Sequence, residues 1–96
     1  MVDINIIKEK LKEVIDPEIG YDIVSLGEIE DIKEKDGKII ITFLPTTPLC
    51  PFIPAILDSI AEKMKETNLD FDIEVDLENK WNIERIEPEI RKKLGL

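Results

Sequence analysis

The sequence contains a single cysteine, Cys50, and its thiol is the side chain with the widest range of chemistry in the chain. Cys50 lies between Pro48 and Pro51, just before an apolar segment with helical spacing. A thiol at a helix N-terminus faces unpaired amide groups and the positive end of the helix dipole, which favour the metal-binding thiolate. Pro54 moves the expected helix start towards Ile53, which weakens this effect. Because free cysteines are often buried, a packed and inert Cys50 is an equally strong interpretation.

Two pairs of polar residues in predicted loops could interact with the thiol or with a group bound to it. Asp16 and Glu18 flank Pro17 and could form a paired-carboxylate site. The spacing favours a structural role instead, in which Asp16 caps the end of a helix or closes an Asx-turn and Glu18 lies in solvent. Thr46 and Thr47 could donate hydrogen bonds to a thiolate or a bound anion. Such residues more often satisfy the backbone groups of their own loop.

The composition excludes several kinds of site and partner. One cysteine rules out an internal disulfide, and the absence of histidine rules out Cys/His zinc sites and histidine-based catalysis within one chain. Since no imidazole is available to activate Cys50, we expect a protein that is not an enzyme. The net charge of −9 argues against binding of nucleic acid or of anionic membranes. With no apolar run of transmembrane length and no signal-peptide pattern, we expect a cytoplasmic protein, and the Ile-, Glu- and Lys-rich composition without Gln is typical of heat adaptation.

Residues 1–96 are expected to form a single domain, because no repeat, low-complexity tract or linker interrupts the chain. Helical spacing of apolar residues, strand-like alternation and turn residues define its elements. In chain order we predict a helix over 4–15, strands over 28–35 and 38–44 around an Asp36-Gly37 turn, a helix over 53–67, a strand over 71–77 and a short helix starting at Pro88 and stopping at Gly95. This order indicates an α/β (α+β) fold, a two-layer sandwich with its helices on one face of the sheet.

Three details of these elements bear on packing. The strand over 38–44 has apolar residues on both faces and is predicted to be central. The three-residue spacing of Ile29 and Ile32 predicts a bulge or a twist in the preceding strand. The third strand should bury a face that includes Leu77, and its other face is acidic, either a docking surface or a solvated face. Trp81 is either an anchor for a partner or a cap over the end of the core. The acidic face consists of Asp70, Asp72, Glu74 and Asp76.

Several short motifs occur together in a specific order. The sequence reads Asp16-Pro17-Glu18, then Asp-Ile-Val-Ser-Leu-Gly over 22–27, then the hairpin, then Thr46-Thr47-Pro48-Leu49-Cys50-Pro51. Trp81 and the segment 91–95 follow near the C-terminus. In this combination the chain resembles, along nearly its whole length, the SufT/PaaD-like family of iron–sulfur cluster assembly domains, formerly a domain of unknown function.

The resemblance implies a fold shared with the C-terminal domain of NifU-type scaffolds and a role in maturing iron–sulfur proteins. It implies that Cys50 is the ligand of a transient cluster or iron, with a supporting loop that consists of Asp16, Glu18, Thr46, Thr47, Pro48 and Pro51. The implied partners are Mrp-type P-loop ATPases, the SUF machinery or target apoproteins. One branch of the family accompanies a ring-hydroxylating oxygenase in aromatic-acid breakdown, so an adaptor with an inert Cys50 is the alternative function.

The chain departs from this family in ways that matter for the site. Glu28 follows the Leu-Gly pair where members commonly have a hydrophobic residue, and Glu78-Asn79-Lys80 stands where many have Asp-Pro-Pro. Clusters are usually held by four thiolates, whereas this chain offers one. A homodimer with two Cys50 thiolates, or ligands from another protein, would have to complete the site, which favours a transient cluster.

Overall fold

The computed structural model describes residues 3–47 and 49–96 of the chain. The elements, in chain order, are α1 (Ile4–Leu11), β1 (Ile29–Lys35), β2 (Lys38–Phe43), α2 (Ile53–Lys65), β3 (Phe71–Val75), a 3-10 turn (Ile83–Arg85) and α3 (Pro88–Leu94). This is the predicted order of elements, with the 3-10 turn as an addition. Within the described residues, no helix has both the length and the apolar character needed to cross a membrane.

The three strands form one mixed sheet in the order β1-β2-β3. β1 and β2 are antiparallel, and β2 and β3 are parallel, so the predicted central position of β2 is confirmed. Asp36 and Gly37 have φ angles of 53° and 79°, the left-handed values that a two-residue hairpin turn requires. The register of β1 against β2 shifts between Ile29 and Asp31, which confirms the predicted bulge.

The hydrophobic core lies between one face of the sheet and the two longer helices. β2 supplies the centre of that face with Ile39, Ile41 and Phe43, each at most 1% exposed. The helices cover it with buried residues at helical spacing, namely Ile7 and Leu11 of α1 and Ile56, Ile60 and Met64 of α2. The helices therefore pack on one side of the sheet, as a two-layer sandwich requires.

The first helix ends a full turn earlier than the sequence suggests. α1 stops at Leu11, not near Ile15, because the next residues form a small ladder with the chain ahead of β1. The Ile23 N–H donates to the Val14 carbonyl at 3.0 Å, and the Asp16 N–H donates to the Tyr21 carbonyl at 2.9 Å. This pairing, which helical spacing cannot reveal, turns Ile15 into solvent and holds Asp16 in place.

The third strand is also shorter than predicted. β3 ends at Val75, and the expectation that Leu77 is buried is wrong, since its side chain is 61% exposed. The reason is a turn at Asp76, whose carboxylate accepts the N–H groups of Glu78 and Asn79 at 2.9 and 3.0 Å. Asp76 therefore stabilises a turn and does not belong to the exposed acidic face, on which Asp70, Asp72 and Glu74 remain.

Candidate functional site

Cys50 lies in the loop between β2 and α2, three residues before the helix begins at Ile53. Its side chain is 7% exposed, and its Sγ donates a hydrogen bond to Oε1 of Glu18 at 3.0 Å. Its own N–H donates to the Thr47 carbonyl at 3.2 Å, and Phe52 is the N-cap residue of α2. The thiol is thus set beside a carboxylate just inside the surface and outside the helix itself.

Glu18 reaches the thiol because Asp16 folds the intervening chain into an Asx-turn. Oδ1 of Asp16 accepts the Glu18 N–H at 2.8 Å, and the Asp16 carbonyl accepts the Gly20 N–H at 2.8 Å. The predicted Asx-turn is therefore present, but Glu18 is bonded to Cys50 and is not simply solvated. Asp16 is only 1% exposed. The structure thus brings together three of the predicted site residues from positions 34 residues apart in the sequence.

Among the other predicted site residues, those that the structure describes make no side-chain hydrogen bond to the Cys50 thiol. Oγ1 of Thr47 accepts the Leu49 N–H at 3.3 Å, the ordinary structural role for a threonine in a loop. The Thr46 backbone N–H lies near the carboxyl group of Glu28 and lowers its pKa in part. Pro51 is exposed, and Pro48 lies outside the described residues.

Glu28 is a member of this site that sequence reasoning missed. It is 1% exposed, its carboxyl group lies close enough to that of Asp16 to raise its pKa, and its Oε2 is buried without a protein partner. Strand propensity placed Glu28 at the start of β1 without indicating that its side chain turns inward. The one available signal was the departure, at this position, from the hydrophobic residue that the family resemblance implied.

The backbone turn that presents Glu28 is clamped from the C-terminal side of the chain. Gly27 has φ +72°, and a Cβ there would lie 2.5 Å from the Arg85 carbonyl oxygen, so no larger residue fits. The Arg85 Nε donates to the Gly27 carbonyl at 2.8 Å, and the Trp81 Nε1 donates to the Leu26 carbonyl at 2.7 Å. Trp81 thus ties the 81–85 segment onto the turn.

The site is electrostatically negative, and this changes the expected state of the thiol. Burial raises the pKa of Cys50, and the hydrogen bond and charge of Glu18 raise it further, while the Phe52 N–H opposes them in part. The expectation that the helix end gives Cys50 a lowered pKa is therefore wrong, because burial and the Glu18 carboxylate outweigh the N–H of Phe52 at the start of α2. Burial and the charges of Asp16 and Glu18 raise the pKa of Glu28 to about 9.

The arrangement offers one thiol and one adjacent carboxylate to an incoming group. Across residues 3–47 and 49–96, no three Cys, Asp or Glu side chains are grouped so that they could hold a metal ion. The neighbours of Cys50 in the loop are apolar and accessible, with Leu49 87% and Phe52 39% exposed. The thiol therefore lies in a loop whose surface suits contact with another protein.

Comparison with known proteins places this geometry in a family. A family model described as "Iron-sulfur cluster assembly protein" matches residues 5–77, which include Asp16, Glu18, Glu28 and Cys50. The chain is 37% identical over 73 residues to YitW, an Fe-S protein maturation auxiliary factor of Bacillus subtilis. That match covers 75% of this chain and 70% of YitW.

Solved structures agree with the sequence match. The fold resembles TM0487, a conserved hypothetical protein of Thermotoga maritima, with a TM-score of 0.85, 35% identity and coverage of 99% of this chain and 96% of the other. It also resembles a domain of unknown function (DUF59) from Bacillus anthracis, with a TM-score of 0.88, 27% identity and coverage of 96% and 91%. Since the sequence match extends over most of the chain and the fold agrees, the protein belongs to the iron–sulfur cluster assembly protein family.

Proposed function

We propose that this protein acts in the cytoplasm as a non-enzymatic maturation factor that holds iron or an iron–sulfur cluster transiently at Cys50 and passes it to an apoprotein. The observation that carries the proposal is the placement of the sole thiol, with Sγ 3.0 Å from Oε1 of Glu18. Family membership and the similarity to YitW support a role in iron–sulfur protein maturation. Family membership does not identify the cargo or its binding site. The binding of iron or a cluster at the Cys50 loop is the part of the proposal that goes further.

The negative surroundings of Cys50 suit a cationic cargo. Carboxylates near a thiol disfavour a bare thiolate, because two negative charges are then close together. A metal cation that replaces the thiol proton reverses this effect, since the same carboxylates attract it. The field that raises the pKa of Cys50 therefore opposes reaction with a neutral electrophile and favours an iron centre at Sγ.

The ligand count of the chain favours transfer over storage. A cluster normally requires four thiolates, and this chain offers one. The remaining ligands would come from a second copy of the chain, small thiols or a partner such as the SUF machinery, an Mrp-type P-loop ATPase or the apoprotein itself. A site that is complete only when a partner is present releases its cargo when that partner leaves.

Anaerobic reconstitution with iron and sulfide tests the proposal, read by visible absorbance and by the native mass of the assembly. We expect wild type to acquire sulfur-to-iron absorbance, Cys50→Ser to lose it, and Glu18→Gln to hold less iron. Asp58→Asn, which changes an exposed carboxylate on α2, is the matched control and should behave as wild type. Equal iron and sulfide in wild type and Cys50→Ser would remove Cys50 from the proposed role.

A second candidate function is an adaptor that works through protein contacts with Cys50 inert. The low exposure of Cys50 and the raised pKa of its thiol favour this candidate. It predicts that capture of iron–sulfur maturation partners by the tagged chain is unchanged by Cys50→Ser. Loss of capture in Cys50→Ser, with the fold intact, would exclude the inert adaptor.

A further inference from the structure

Glu28 combines three features that are costly for an ionised side chain. It is 1% exposed, its Oε2 has no partner within the described protein, and its nearest charged neighbours are acidic. A buried carboxylate without compensating donors is unfavourable, and the usual outcome is that the group takes up a proton. Glu28 is therefore a buried acid to which the proposed binding of iron at Cys50 assigns no role.

The proton on Glu28 allows its carboxyl group to bond to that of its neighbour Asp16. The two carboxyl groups lie within hydrogen-bonding reach of each other, a contact that raises the pKa of Glu28, and both residues are 1% exposed. Two ionised carboxylates offer only acceptors to each other, so a hydrogen bond between them requires that one carries a proton. A neutral acid beside a carboxylate turns repulsion into a hydrogen bond of the strong, charge-assisted kind.

The backbone of Glu28 is suited to act as a fixed anchor for this contact. Its N–H donates to the Ile23 carbonyl at 2.9 Å, and its carbonyl accepts the Leu44 N–H at 2.7 Å. The preceding Gly27 is held against Arg85. The Asp16 turn, by contrast, belongs to the connection between α1 and β1 and carries Glu18 on an exposed stretch.

We propose that Glu28, as a neutral carboxylic acid, donates its O–H to the Asp16 carboxylate and thereby positions the turn that brings Glu18 to Cys50. This inference rests on the proposed function in one respect: if Cys50 binds the cargo, Glu28 is a positioning residue of that site. Burial in an apolar surrounding is a known way to keep an acid neutral as a hydrogen-bond donor.

The charges around Glu28 support a neutral acid. The charged groups that act on it are Asp16 and Glu18, and both raise its pKa, with burial as the larger cause. The Thr46 N–H lowers it only in part. The resulting pKa of about 9 leaves the acid protonated over the neutral pH range.

The test is the rate at which Cys50 is alkylated by iodoacetamide at pH 7, in the full chain and without iron. If Glu28 holds the turn, Glu28→Leu frees Glu18 from the thiol and the rate rises by about threefold or more, the effect of half a unit in the thiol pKa. Glu28→Gln keeps a donor for Asp16 and should react as wild type does. Circular dichroism checks that each variant is folded.

A double variant separates positioning from general loosening of the structure. Glu18→Gln alone should raise the alkylation rate, and adding Glu28→Leu to it should raise the rate no further, because Glu18 is the residue through which Glu28 acts. A further rise in the double variant, an unchanged rate in Glu28→Leu, or a Glu28→Gln rate equal to that of Glu28→Leu would overturn the inference.

A direct measurement on the acid itself completes the test. The carboxyl carbon of Glu28, followed by NMR as pH is varied, should stay in the neutral form through pH 7. An ionised Glu28 at pH 7 would overturn the inference whatever the alkylation rates show. Neither assay needs bound iron, so a failure here and a failure of the proposed cargo function are distinguishable.

Discussion

The buried Glu28 makes the stability of this protein depend on pH in an unusual direction. Its pKa is about 9 in the folded protein, against 4.5 as the ordinary value. Folding therefore favours the protonated form of Glu28. The stabilisation that this form gives to the folded state is complete below pH 4.5 and is lost progressively as pH rises towards 9. Most carboxyl groups act in the opposite sense, because folding usually lowers their pKa.

The size of the effect follows from the shift. Between its two pKa values, a group of this kind removes about 1.4 kcal/mol from the free energy of unfolding for each pH unit. From pH 4.5 to pH 7 the loss from Glu28 is about 3 kcal/mol. That is a large fraction of the total of about 5–15 kcal/mol for a typical domain.

Glu28→Gln removes the titration while keeping a side chain of the same shape. We expect the difference in unfolding free energy, variant minus wild type, to grow with pH from 5 to 8 by about 1.4 kcal/mol per unit. Urea unfolding at each pH, followed by the fluorescence of Trp81, measures it. Only the slope is diagnostic, because the effect of the neutral buried amide on stability does not change with pH.

Glu34→Gln on the exposed surface of β1 is the matched control, and its difference from wild type should stay constant over the same range. A flat difference for Glu28→Gln between pH 5 and 8 would refute the reasoning. So would a wild type that gains stability relative to Glu28→Gln as pH rises, because Glu28 would then be ionised in the folded state.

Other substitutions give further tests. Gly27→Ala should cost about 3 kcal/mol in urea unfolding, because it combines a left-handed backbone angle with a clash at the Arg85 carbonyl. Asp3→Ala should cost about 1 kcal/mol in the same assay, since the Asp3 carboxylate caps α1 by accepting a backbone N–H at 2.9 Å. Leu49→Asp should change unfolding by less than about 0.5 kcal/mol yet weaken capture of iron–sulfur partners, because Leu49 is exposed beside the thiol. Leu77→Asp, exposed outside the thiol loop, is the control that should leave capture intact.

Each of these has a contradicting result. A Gly27→Ala protein as stable as wild type would mean that the Gly27 turn is not held as described. An unchanged free energy in Asp3→Ala would remove the cap from α1. Equal loss of capture in Leu49→Asp and Leu77→Asp would point to a general effect of added charge and not to a docking surface at the thiol loop.

Local sequence signals predicted most of the elements because each is encoded within a few neighbouring residues. Asp36-Gly37 supplies the two left-handed angles of the hairpin turn, and the spacing of Ile29 and Ile32 reflects the bulge. At the C-terminus, Gly95 ends α3 in the left-handed conformation that was expected there. The candidate thiol and the Asp16 turn were likewise readable, because residue type and a short motif identify them.

What only the tertiary structure decided are the features that depend on residues far apart in the sequence. The ladder of 14–16 with 21–23 ends α1 early, and it cannot be inferred from helical spacing. The pKa of Cys50 is raised by burial and by Glu18, 32 residues away, which together outweigh the N–H at the start of the following helix. Glu28 looks like a surface strand residue in sequence. Folding alone places it in the buried interior beside Asp16, where burial and the neighbouring carboxylates make a neutral acid the stable form.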